Sequence, residues 1–144
     1  MDTPIAGYRI VESIDGRLRS QLMDLYRHEW WTHDRTEDDV ARMLDGCDLL
    51  VGVCVDPGGD LVGFTRVLTD GVFKATLFDV IVAREHRHMG LGRLLIEYVT
   101  SHPRLAKVAH IELYCRPELI PFYEKYGFSD EVSQARLMRR LRPG

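Results

Sequence analysis

A change of periodicity around a glycine turn constrains this chain more than any other feature. Residues Thr76-Leu77-Phe78-Asp79-Val80-Ile81-Val82 are an apolar, strand-like run. Leu91, Leu94, Leu95, Tyr98 and Val99 fall at the i, i+3, i+4, i+7, i+8 spacing of an amphipathic helix. Between them stands Arg87-His88-Met89-Gly90-Leu91-Gly92. A strand feeding a glycine turn that opens a helix presents free N–H groups where the helix dipole is positive. Such a turn is suited to holding a phosphate.

The kind of phosphate site can be narrowed. A dinucleotide turn requires G-x-G-x-x-G and an acidic residue about 20 positions on, but Leu95 stands where the third glycine would be. No G-x-x-x-x-G-K-[ST] run is present either. What remains is R-x-x-G-x-G after a strand. It resembles the acetyl-CoA-binding signature [QR]-x-x-G-x-[GA] of the GNAT superfamily of N-acetyltransferases. Pro121-Phe122-Tyr123-Glu124-Lys125-Tyr126-Gly127-Phe128 is similar to that family's closing motif, F/L-Y-x-x-x-G-F. Pro121 suits a first helical position and Gly127 a left-handed cap, with about two helical turns between them. The two motifs span roughly Lys74 to Phe128, in the family's order.

The remaining bounds are those of a small globular protein. At 144 residues the chain is read as one domain, 1–144. A net charge of −3 predicts no general attraction to nucleic acid or anionic lipid. Apolar runs fall short of the ~20 residues that span a bilayer, and Met1-Asp2-Thr3-Pro4 does not read as a secretory leader. Cys47, Cys54 and Cys115 have no C-x-x-C spacing, and a cytoplasmic protein with reduced thiols is expected.

Pattern and turn chemistry predict a strand over 8–14, a helix over 17–29, and a second helix from an N-cap at Thr36 to Asp45. Strands follow over 49–55, 61–68, 72–82, 108–115 and 135–141, with turns at Asp56–Asp60 and Thr69–Gly71. The order fits the α+β (α/β) GNAT fold. That resemblance implies a mostly antiparallel, splayed sheet of six to seven strands flanked by about four helices.

The resemblance also implies a site. Acetyl-CoA would donate the acetyl group, with its pantetheine arm along the backbone of Val80, Ile81 and Val82. Its diphosphate would sit on the amides of His88, Met89, Gly90, Leu91, Gly92 and Arg93, with Arg87 and Arg93 adding charge. A backbone N–H of the strand would hold the thioester oxygen, worth ~3–4 kcal/mol in the transition state. Tyr123 would protonate the departing thiolate. An alkylamine is only about one part in 10³ neutral at pH 7, so Asp79, Glu112 or a water chain is expected to take its proton. Asp79 could instead pin a turn or pair with Arg66. For the acceptor, Trp30 and Trp31 could line a pocket for an amine cation or close a small core. Arg66 and Asp70 lie in a G-F-x-R-x-x-x-D-G stretch, Gly63 to Gly71, that resembles one in small bacterial-type members.

His86 and His88 have H-x-H spacing but no third ligand nearby, so no metal is expected. The basic tail, Arg136, Arg139, Arg140 and Arg142, reads as a solvated face. Arg116-Pro117-Glu118-Leu119-Ile120 lacks the asparagine with which many members help hold the cofactor. The partners expected are acetyl-CoA and an amine acceptor, without nucleic acid or membrane. Many relatives dimerise, so a homodimer is carried as an expectation. The reading is an acetyl-CoA-dependent N-acetyltransferase acting by direct attack in a ternary complex. The alternative is a non-catalytic acyl-CoA-binding sensor or interaction module.

Overall fold

The computed structural model describes residues 5–143. The chain divides into two compact units, one ending at Tyr114 and the other starting at Cys115. In the first unit the elements run β1 (Tyr8–Val11), α1 (Gly16–Arg27), α2 (Glu37–Asp45), β2 (Leu49–Val55), β3 (Leu61–Thr69), β4 (Lys74–Val82), α3 (Leu91–Thr100) and β5 (His110–Leu113). The strands form one sheet in the order β1-β2-β3-β4-β5. The first three pairings are antiparallel and β4–β5 is parallel.

Local chemistry sets the element ends. Thr36 caps α2, its side chain accepting from the Asp39 N–H at 3.1 Å, and three acids occupy the first turn. Asp70 accepts from the N–H groups of Val72, Phe73 and Lys74 through Oδ1. That turn delays β4 to Lys74, two residues later than its pattern predicts.

Two helical layers cover the sheet. Leu22, Met23 and Tyr26 of α1 join Val40 and Leu44 of α2 in a core with Phe64 and Ile81 of the sheet. The buried stripe of α3 is Leu91, Leu94, Leu95, Ile96 and Val99, and this helix packs on β2, β3 and β4.

The second unit holds α4 (Ile120–Glu124), preceded by a 3-10 turn at Pro117–Leu119. Pro121 lies in the helix's first turn, and Gly127 adopts φ +91° beyond its end. The helix is shorter than the two turns expected. Residues 135–141 form no strand, so the sheet has five strands among the described residues rather than six or seven. In Ala135-Arg136-Leu137-Met138-Arg139-Arg140-Leu141, arginines fall on both alternate faces, so neither side is uniformly apolar. Leu137, Met138 and Leu141 are accordingly exposed.

Candidate active site

β4 is continuous in chain but not in pairing. Lys74 to Leu77 pair with His110 to Leu113, and there the β5 ladder stops. Among the described residues Phe78 to Val82 pair with β3 alone, leaving about 16 Å of edge without a strand partner at ~3.3 Å per residue. On the β3 side the register shifts between Phe64 and Arg66. Asp79, at φ +57°, sits in this bulge.

The bulge decides which amides face the open edge. Before it, Lys74 accepts from Asp70 across the β3–β4 turn at 3.3 Å, so even-numbered residues bond to β3. After it, Ala83 N–H donates to Val62 C=O at 2.8 Å, so odd-numbered residues do. Val80 and Val82 therefore direct their backbone groups into the gap. The Val82 carbonyl already accepts from Arg87 Nε at 3.1 Å.

Asp79 holds this geometry in place. Its Oδ2 accepts from Tyr26 Oη at 3.0 Å, Arg35 Nη1 at 2.7 Å and Arg66 Nε at 2.7 Å, and its Oδ1 from Arg35 Nη2 at 3.3 Å. Only 4% of its side chain is exposed. Arg35 lies over the Tyr26 ring and Arg66 over that of Phe78, at 4.8 and 4.6 Å. Burial pushes the Asp79 carboxyl up, but hydrogen bonds and charge from Arg35 and Arg66 outweigh it and hold the group below its ordinary range. Burial, and the Asp79 charge beside it, push the Tyr26 phenol well up.

A carboxylate so engaged is a poor proton acceptor. The role of general base expected for Asp79 gives way to the alternative, a pin paired with Arg66. Arg35 and Tyr26 had no such role in the sequence. They lie 44 and 53 positions from Asp79, and no spacing rule joins them.

The glycine turn opens a helix, as its pattern predicts. After a 3-10 turn at Arg84–His86, His88 adopts φ +67° and Gly90, at φ +86°, is the N-cap of α3. Among the described residues, none of the six backbone N–H groups from His88 to Arg93 donates to another protein group. His88, Met89 and Arg93 are exposed, Gly90 and Gly92 half-buried, and Leu91 buried. His86 Nδ1 is joined to Tyr8 Oη at 2.8 Å. Arg87 reaches Glu29 at 2.9 Å, and Arg93 pairs loosely with Glu97 at 3.8 Å.

The other candidates are dispersed. Glu112 faces Thr76 in the paired part of the β4–β5 ladder and forms an exposed ion pair with Lys74. At four residues from the register of Val80, it lies about 13 Å along the strand, too far for direct proton transfer there. Asp70 is a turn cap whose three N–H donors hold its carboxyl low. Trp30 and Trp31 are 66% and 39% exposed and close no core. In the second unit Tyr123 is buried, edge-on to Phe122 and Phe128. Burial, with a smaller contribution from Cys115, pushes its phenol up to about 12.

Comparison with known proteins settles the lineage. Residues 17–128 match the family profile described as acetyltransferase (GNAT) family. The chain belongs to the GNAT acetyltransferase family. A protein from Xanthomonas campestris pv. campestris, whose crystal structure is described as that of a GNAT-family acetyltransferase, is 29% identical. It superposes with a TM-score of 0.80 over 98% of this chain and 97% of its own. The uncharacterized N-acetyltransferase ycf52 of Pyropia yezoensis is 36% identical over 73 residues, 51% of this chain and 42% of that protein. The chloroplastic serotonin N-acetyltransferase 2 of Oryza sativa subsp. japonica is 32% identical over 106 residues, 72% of this chain and 53% of that protein. The chain thus spans about half the length of these curated relatives.

Proposed function

We propose that this GNAT chain is an acetyl-CoA-dependent N-acetyltransferase that moves the acetyl group to a primary amine by direct attack in a ternary complex. The observation that carries the proposal is the run of six amides from His88 to Arg93 that have no acceptor among the described residues, in the segment that follows the open edge of β4. One face takes a diphosphate, the other an extended amide arm. The N–H of Val80 or Val82 then serves as the donor to the thioester oxygen. As negative charge grows there in the tetrahedral transition state, a fixed donor is worth ~3–4 kcal/mol.

Asp79 is a positioning residue in this mechanism. Its two arginines lock the bulge that aims Val80 into the gap. The resemblance assigns proton donation to Tyr123. A phenol held near 12 stays protonated at neutral pH and can give its proton to the coenzyme A thiolate as the C–S bond breaks. With Asp79 engaged and Glu112 distant, the amine loses its proton to solvent, directly or through a water chain.

Release of free coenzyme A from acetyl-CoA, across alkylamines, arylalkylamines, polyamines, amino acids and peptides, tests the proposal. Arylalkylamines are included because the rice relative is named for serotonin. Turnover with at least one amine is the expected result. Tyr123→Phe should lower kcat about 10²-fold with coenzyme A affinity unchanged. Tight acetyl-CoA binding with no turnover on any amine would favour the acyl-CoA-binding module instead. Absence of binding would end both readings.

A further inference from the structure

Arg87 is the arginine of the R-x-x-G-x-G signature, yet its guanidinium is already occupied. Nη2 donates to Glu29 at 2.9 Å and Nε to the Val82 carbonyl at 3.1 Å. Val82 belongs to the open edge of β4, so Arg87 holds a carbonyl that an incoming amide arm would use. Glu29 follows α1 and is the more shielded partner, its side chain 19% exposed against 44% for Arg87. Both line one cleft of about 320 Å³, with Asp24 and His28 from α1 and Val82 and Ala83 beside the turn. Asp24 has its own partner in Arg27 at 2.7 Å, whereas Glu29 is paired with Arg87.

We infer that Glu29 is the carboxylate that receives the acceptor's ammonium group, and that Arg87 masks it until the cofactor binds. The inference rests on the N-acetyltransferase reading above and names its acceptor contact and order of binding. A diphosphate seated on the amides of 88–93 brings negative charge into the same loop as Arg87. Planar guanidinium groups pair bidentately with phosphate as with carboxylate, so a diphosphate there offers Arg87 a partner that competes with Glu29. Its departure frees the Val82 carbonyl and removes the ion-pair partner of the shielded Glu29, with Arg84 the remaining arginine that lines the cleft. An uncompensated carboxylate in such a place strongly favours a cation. A primary alkylammonium that fits the cleft supplies one. The cofactor therefore binds first, and the amine is recognised in its protonated form.

The test uses the full chain and coenzyme A as the probe. Calorimetric titration compares wild type, Glu29→Gln, Arg87→Ala and the double variant, each checked for folding by circular dichroism. Glu29→Gln should bind coenzyme A about threefold to tenfold more tightly, because Arg87 no longer has a competing charge to leave. In the Arg87→Ala background the same change should have little effect. With acetyl-CoA saturating and any amine that turns over, Glu29→Gln should raise the amine KM about tenfold while moving kcat far less. Equal or weaker coenzyme A affinity in Glu29→Gln, or an unchanged amine KM, overturns the inference and leaves the parent reading standing. No coenzyme A binding by wild type brings down both.

Discussion

Replacing Asp79 by alanine removes the one carboxylate shared by Tyr26, Arg35 and Arg66. The two guanidinium side chains are only 27% and 13% exposed, so they would be left partly buried without a counter-charge. Breaking a buried pair from one side costs about 3–5 kcal/mol. Alanine also tolerates φ +57° less well than aspartate, whose short polar side chain favours left-handed backbone. A loss of about 4 kcal/mol is expected, and at roughly 3–4 °C per kcal/mol the melting temperature should fall about 12–16 °C. Asparagine keeps the backbone tolerance and one acceptor oxygen, so Asp79→Asn should cost about half as much.

The pH dependence gives a second readout. The folded carboxyl titrates below its unfolded value of about 3.9. Its stabilisation is therefore present above that value and is lost as pH falls through the depressed folded pKa, where the unfolded chain binds more protons. Asp79→Asn should flatten this acid limb. Urea unfolding followed by far-ultraviolet circular dichroism, from pH 3 to 7, measures both effects. An Asp79→Ala variant within 1 kcal/mol of wild type, or an acid limb equally steep in Asp79→Asn, would refute the idea that this cluster holds the bulge.

Three further outcomes are expected. The kcat–pH profile should show no alkaline fall from Tyr123 below about pH 10, given a phenol near 12; a limb at pH 9–10 that vanishes in Tyr123→Phe would count against its burial. Gly90→Ala places a side chain at φ +86°, costing about 1–2 kcal/mol; coenzyme A affinity measured by calorimetry should fall about tenfold as the turn's amides reorient. Gly52→Ala puts a methyl within 2.9–3.0 Å of Leu61, Ile14 and Val11, and thermal melts should show a loss of about 1–3 kcal/mol from overpacking.

Several of these features are local and were legible beforehand. The cap at Thr36, the strand–turn–helix around Gly90 and the amphipathic stripe of α3 depend on residues a few positions apart. Period and turn chemistry therefore report them. The strand expected over 135–141 failed because arginines on both faces matter more than β propensity once a partner edge is needed. Glu112 was placed in the correct strand, but which part of that strand stays paired is a matter of register. Asp79 stood out as a charge in an apolar run, although its proton-taking role did not follow from that.

By itself the amino-acid order determined the family, the glycine turn and the two motif ends, because backbone amides at a helix start are arranged by neighbouring residues alone. Tertiary structure decided how Asp79 is used, where β4 parts from β5, and what Arg87 and Glu29 do to each other. The physical reason is distance along the chain. A charge has its chemistry set by whatever folding brings within about 3 Å of it, and those partners come from α1, the connection after it and β3.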